Sequence, residues 1–215
     1  MIHIILRNSL LLFILITLLS SCDKGGCIDI PLSDSYMAEV KSWKFEDSLG
    51  NRILVDDHNI IQTLKFMDSD SVYFEKTLED DCGNTYGSFM ASVQFNTSMG
   101  FYNFMIMLGA GGYIEEEYDD FHSCTIDFLV TNFGTSDNDH KNVKYDFVTQ
   151  KVIEGEGSVE FLQSHQVLDH HYNDVLKITF DWMFSDNDVK VLYYTKRYGI
   201  IEFVDGYSNH FKAKD

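Results

Sequence analysis

The sequence predicts an all-β protein: a mainly antiparallel curved sheet, half-barrel or sandwich, with one or two short helices. Two observations lead there. Short segments rich in Val, Ile, Phe, Tyr and Thr recur along the chain, separated by Asp, Asn, Gly and Ser, which is the composition of strands joined by tight turns. Sustained apolar spacing of three and four residues, the mark of amphipathic helices, is missing over most of the length. The chain has 215 residues, 45% of them hydrophobic, which suffices for one sizeable core, and β domains of about 200 residues often form one unit. The single proline, Pro31, leaves no Pro-rich linker.

The elements follow in order. Residues 38–45, "AEVKSWKF", alternate with a slip and predict a strand burying Val40, Trp43 and Phe45. Residues 60–67 and 71–78 read as two strands of a hairpin around the loop "DSD". Residues 87–95 and 101–109 flank "NTSMG", a second hairpin connection. In the latter strand Phe101, Phe104, Met105, Ile106 and Met107 exceed a one-face pattern; a strand buried on both faces and a hydrophobic groove both remain open. "GAGGYIEEEYDD", 109–120, reads as a flexible acidic loop. Further strands are expected at 124–130, 143–148, 175–181, 189–195, 199–204 and 209–214. One helix is expected at 158–168, where Val159, Leu162, Gln166 and Val167 approach a helical stripe.

The N-terminus carries an address. One definite cation, Arg7, precedes the apolar run "LLLFILITLL" at 10–19, and small residues follow. Ten apolar residues are too few to span a bilayer, which takes roughly 20, so the pattern is that of an export signal. Leu19-Ser20-Ser21-Cys22 resembles the lipobox of bacterial lipoproteins, in which the chain is cut before the Cys, and the thiol and the new N-terminus are acylated. The resemblance implies residues 1–21 as signal peptide and Cys22 as the lipidation site. Several acyl chains anchor stably where one is marginal. Residues 22–35 then form a polar tether and 36–215 a single β-rich domain. The expected location is the cell envelope, anchored in the outer membrane, on its periplasmic or surface face.

The formal charge is −18, and losing Arg7 with the signal makes it more negative by one. Such a charge repels phosphate backbones, so no nucleic-acid partner is expected, and it disfavours docking on anionic lipid through basic residues. The membrane is therefore expected as a partner through the acyl anchor alone. Four cysteines are present. With Cys22 lipidated, a disulfide between Cys82 and Cys124 is the favoured pairing in an export compartment, because Cys27 lies in the tether.

Chemical motifs are sparse. The stretch "SHQVLDHHYND" offers His165, Asp169, His170 and His171 as possible metal ligands; the competing reading is a polar turn before a strand, since adjacent His170 and His171 point apart. No HExxH or CxxC spacing occurs. The acidic runs at 68–70, 79–81, 115–120, 136–139 and 185–188 complete no calcium loop and read as turns. Neither GxSxG nor a Gly-rich phosphate loop appears, and no cofactor is expected.

The C-terminal segment 174–214 resembles the ending of many uncharacterised Bacteroidota lipoproteins, in which a strand leads through a Tyr-Tyr-x-x-x-x-Gly-Ile-Ile hairpin to a last strand. Tyr193, Tyr194, Gly199, Ile200, Ile201 and Phe203 carry it. His210 and Phe211 stand where that family usually closes with Trp. The resemblance implies a curved antiparallel half-barrel and brings no catalytic residues. Together these readings give a non-enzymatic envelope module that binds an apolar ligand or a protein partner; the alternative is a metal-binding protein or metal-dependent hydrolase using 165–171.

Overall fold

The structure is a computed structural model and describes residues 29–30, 33–46, 49–77, 85–98, 102–115, 118–132, 140–181 and 188–214. Its strands are β1 (Asp29–Ile30), β2 (Arg52–Asp56), β3 (Ile61–Thr77), β4 (Thr85–Thr97), β5 (Tyr102–Glu115), β6 (Tyr118–Asn132) and β7 (His140–Asp146). They continue with β8 (Lys151–Gly155), β9 (Gly157–Val167), β10 (His170–Phe180), β11 (Val189–Thr195), β12 (Gly199–Asp205) and β13 (His210–Lys214). Among the described residues there is one helix, α1 (Asp34–Ser42). The all-β antiparallel prediction holds.

Twelve strands form one sheet in the order β8-β7-β6-β5-β4-β3-β2-β13-β12-β11-β10-β9. β1 lies off this path, parallel to β4. The outermost strands β8 and β9 are consecutive in sequence and come back into contact, as do β7 and β10. The sheet therefore curls into a nearly closed barrel. Glycine suits that approach: a Cβ on Gly157 of β9 would stand 2.8 Å from a Val143 methyl on β7, across the closure, and 2.2 Å from the Thr179 carbonyl oxygen on its paired strand β10.

One wall shows how alternation builds the interior. Phe95, Phe104 and Val130 lie in one row across β4, β5 and β6, and Val93, Ile106 and Phe128 in the next. Ala91, Leu108 and Ile126 form a third row, and Phe89, Ala110 and Cys124 a fourth. All are buried, each large side chain contributing roughly 1.5–3 kcal/mol on leaving water. The opposite wall meets them: Phe203 on β12 lies 5.3 Å from Phe104, and Tyr194 on β11 lies 5.5 Å from Phe128. Side chains thus fill this part of the barrel, as small barrels require. The expected strand at 101–109 is β5, and its Met105 and Met107 are half-buried on the outward face.

Small residues gather towards the fourth row, where α1 packs on β5 and β6. Val40 is buried, and Tyr36 and Met37 pack partly against the core. Asp34 in the first turn and Lys41 in the last suit the helix dipole.

Four expectations are corrected. Residues 38–45 are no strand: α1 ends within them, although Val40, Trp43 and Phe45 are buried as predicted. Residues 158–168 are no helix: 157–167 are β9, paired with β10 from Gly157↔Phe180 to Val167↔His170. The "DSD" stretch is no hairpin loop. It lies within β3, where Asp68 and Ser69 pair with Gln94 and Val93, and a register shift after Phe66 absorbs one extra residue as a bulge. Most of 109–120 is no loop, since β5 runs to Glu115 and β6 starts at Tyr118.

Candidate functional site

α1 does not fill the end of the barrel it covers. A cavity of about 510 Å³ lies between the helix and the strands, lined by Ser35, Tyr36, Glu39, Trp43, Cys124, Tyr145, Phe147, Val148, Gln150 and Phe161. Ser35, Tyr36 and Glu39 come from α1 and Trp43 from its C-cap; the strands and the β7–β8 turn supply the rest. Helical spacing places Tyr36, Glu39, Val40 and Trp43 on neighbouring turns. The floor residue Cys124 ends the row of small side chains, so the sheet leaves room where the helix arrives.

The rings are held by one another and by polar partners. Trp43 stacks on Phe147 at 5.4 Å and 22°, and meets Phe161 edge-on at 6.4 Å. Phe147 meets Tyr145 edge-on at 5.4 Å. The Trp43 indole N–H donates to Glu39 Oε1 at 2.8 Å, and its backbone carbonyl accepts from the buried Tyr194 hydroxyl at 2.8 Å. Lys196 Nζ donates to the same Glu39 oxygen at 3.2 Å and sits 4.9 Å over the Trp43 ring. Below, the buried Asp146 carboxylate accepts from the Val148 amide and the Thr149 hydroxyl, both at 2.9 Å. It thereby shapes the turn that presents Phe147 and Val148.

The floor is non-nucleophilic and sees negative charge. The Cys124 thiol donates to the Tyr36 carbonyl at 3.7 Å. Burial first, then the Glu39 and Asp146 charges, pushes that thiol up to about 12, so its reactive thiolate is suppressed. Burial and then Asp146 likewise push the Tyr145 phenol up.

A second polar constellation lies on the face of the sheet away from this core. The Glu202 side chain on β12 is 5% exposed and bridges two imidazoles: His165 Nε2 at 2.7 Å on one oxygen and His210 Nδ1 at 2.7 Å on the other. His165 also stacks on Tyr193, 4.2 Å apart and nearly parallel. Burial pushes the Glu202 carboxyl up, but the hydrogen bonds and charges of His165 and His210 outweigh it and hold it below the ordinary range. Beside it Val167, Tyr172, Val175 and Ile201 form a small apolar cluster.

The sequence-based candidates fall as follows. His165 belongs to the Glu202 bridge. His170 packs on Tyr172 at 4.3 Å. His171 pairs with Gln166, one register position from His170 and so on the opposite face of β10, and Asp169 stands in the β9–β10 turn. Among the described residues no group of three or more His, Cys, Asp or Glu converges to hold a metal. Cys22, the tether Cys27 and Cys82, the expected partner of Cys124, lie outside the described residues, as do residues 1–21.

Sequence reasoning missed the cavity residues because they come from four separate segments. The available signal was the three- and four-residue spacing of Tyr36, Val40 and Trp43. Glu202 was missed because it is 37 residues from His165, and only the strand order brings them together. No family model matches the chain, and comparison with curated proteins and with solved structures finds no match either.

Proposed function

We propose that the protein is a lipid-anchored module of a bacterial cell envelope that binds a small apolar ligand in the cavity beneath α1. The observation that carries the binding role is the cavity itself. Its volume of about 510 Å³ lies within the range of small-molecule sites, roughly 300–1,000 Å³. Five aromatic side chains line it, with a few polar groups at hand to orient a ligand. The Cys22 lipobox supports the anchor, and the resemblance of the C-terminal segment, carried by Tyr193, Tyr194, Gly199, Ile200, Ile201 and Phe203, supports a Bacteroidota source. Glu202 and its two imidazoles satisfy one another, which favours binding over hydrolysis as the role of this fold.

Quenching of Trp43 tests the site. Trp182→Phe leaves Trp43 as the sole tryptophan of the two in the chain, and 4-bromobenzyl alcohol is a neutral, water-soluble quencher. Saturable quenching of the full chain, weakened by Phe161→Asp at the rim, is the expected result; Phe161 is 51% exposed, so the change is tolerable to the fold. Purely linear, non-saturating quenching refutes the binding role. The anchor is tested separately: Cys22→Ser should abolish acyl labelling and membrane fractionation, and retention in the membrane refutes it.

A further inference from the structure

We propose that the ligand of the cavity is an organic cation: an ammonium group carrying apolar substituents, seated among the aromatic rings with Glu39 as its counter-ion. The inference rests on the binding role proposed above and names the ligand's chemistry.

Three observations carry it. First, the lining combines Tyr36, Trp43, Tyr145, Phe147 and Phe161 with the carboxylate of Glu39 and contains no Lys or Arg. Ring faces are electron-rich, and a cation within about 6 Å of a centroid is attracted, the more so where water is excluded. Second, the molecule already makes this contact with its own side chain. Lys196 holds its ammonium 4.9 Å over Trp43 and 3.2 Å from Glu39 Oε1. The Trp43 indole N–H uses that same oxygen, so among the described residues both contacts of Glu39 fall on Oε1 and Oε2 is uncommitted. Third, two carboxylates face the floor: after burial, the charges of Glu39 and Asp146 both act against ionisation of Cys124. The formal charge of −18 adds a long-range field of the same sign. A neutral apolar ligand would use the rings and leave the field unused, and an anion would be repelled.

A matched pair of quenchers separates charge from apolar fit. In Trp182→Phe full-length protein, (4-bromobenzyl)trimethylammonium should bind at least about tenfold more tightly than 4-bromobenzyl alcohol, from cation–π and charge attraction together. Glu39→Gln keeps an acceptor for the Trp43 indole but removes the charge; it should cut the preference several-fold, leaving the part that the rings supply. Lys196→Met removes the resident ammonium and should raise cation affinity several-fold, a gain that a merely structural role for Lys196 would not produce. Equal or tighter binding of the alcohol in the unmodified site overturns the cation assignment and leaves the apolar site standing. Failure of both quenchers to saturate overturns both. A cation preference undiminished in Glu39→Gln overturns the role given to Glu39.

Discussion

Replacing His165 by Ala tests how the outer face of the sheet is held. Glu202 is nearly inaccessible, whereas its partners His165 and His210 keep 22% and 40% of their side-chain surface in solvent. Removing one partner of a fully buried charged pair costs roughly 3–5 kcal/mol, mostly from the charge left behind. Here the second imidazole remains and water can enter the vacated space, so His165→Ala should cost about 2 kcal/mol. His210→Ala, at the more exposed end, should cost about 1 kcal/mol. Glu202→Ala should cost about 2–3 kcal/mol, because it leaves two partly hydrated donors rather than a buried anion. The double change His165→Ala/Glu202→Ala should then cost well under the sum, with a coupling of about 1–2 kcal/mol. Urea unfolding followed by circular dichroism at pH 7 measures all four. The pH dependence has a fixed sign. The folded Glu202 carboxyl lies below its ordinary value of 4.5. Its contribution is therefore complete above that value and is lost as pH falls through the folded one. The difference between the native chain and Glu202→Gln should shrink as pH is lowered from 5 towards 3. Additive single changes, or a Glu202→Gln difference independent of pH, would refute the bridge as a stabilising unit.

Two further outcomes follow from the cavity floor and the barrel closure. Gly157→Ala should cost about 2–3 kcal/mol in the same unfolding assay, because its Cβ meets the Thr179 carbonyl, a backbone atom that can give only by parting β9 from β10, and a Val143 methyl on β7 across the closure; a loss below about 0.5 kcal/mol would show that β7, β9 and β10 do not meet at Gly157 as described. Cys124, with a thiol pushed up to about 12, should resist iodoacetamide at pH 8 in protein carrying Cys27→Ser and Cys82→Ser, and react only in denaturant; rapid alkylation of the folded protein, followed by mass spectrometry, contradicts its burial.

The fold class was legible because strand composition is a property of short windows. The apolar runs at 87–95 and 101–109 specified both strands but not their buried face: in 101–109 apolar residues occupy both faces, and pairing with β4 and β6 turns Phe104 and Ile106 inward while Met105 and Met107 stay half-buried. The errors came where a window fits two states. In 158–168 the apolar residues Val159, Leu162 and Val167 suit a helix loosely, but β10 offers a free edge with ten matching pairs, and that partner is invisible in the window. At 38–45 the residues Val40, Trp43 and Phe45 are buried as expected but the period is helical: the run Tyr36, Val40, Trp43 has spacings of four and three, and Tyr36 lies before that window. "DSD" has turn chemistry, yet β4 presents an unbroken line of partners opposite it, and pairing prevailed over local preference. The cavity was beyond reach for the same reason, since its walls are adjacent only after the sheet has closed.

The cavity follows from a mismatch that the sequence does contain. Along β4, β5 and β6 the buried rows pass from Phe95, Phe104 and Val130 to Phe89, Ala110 and Cys124. Interior volume supplied by the sheet falls towards that end, while the barrel's width is set by strand number and tilt and does not fall with it. Something must occupy the difference. α1 does so in part, placing Val40 in the core, and its Trp43 is fixed from behind by Tyr194 and from the side by Glu39. Rings held at both ends do not collapse into the remaining space as free side chains would, which is why close packing is not reached there. Polar anchoring of Trp43 thus keeps the cavity open, and it does so with the carboxylate that gives the cavity its charge.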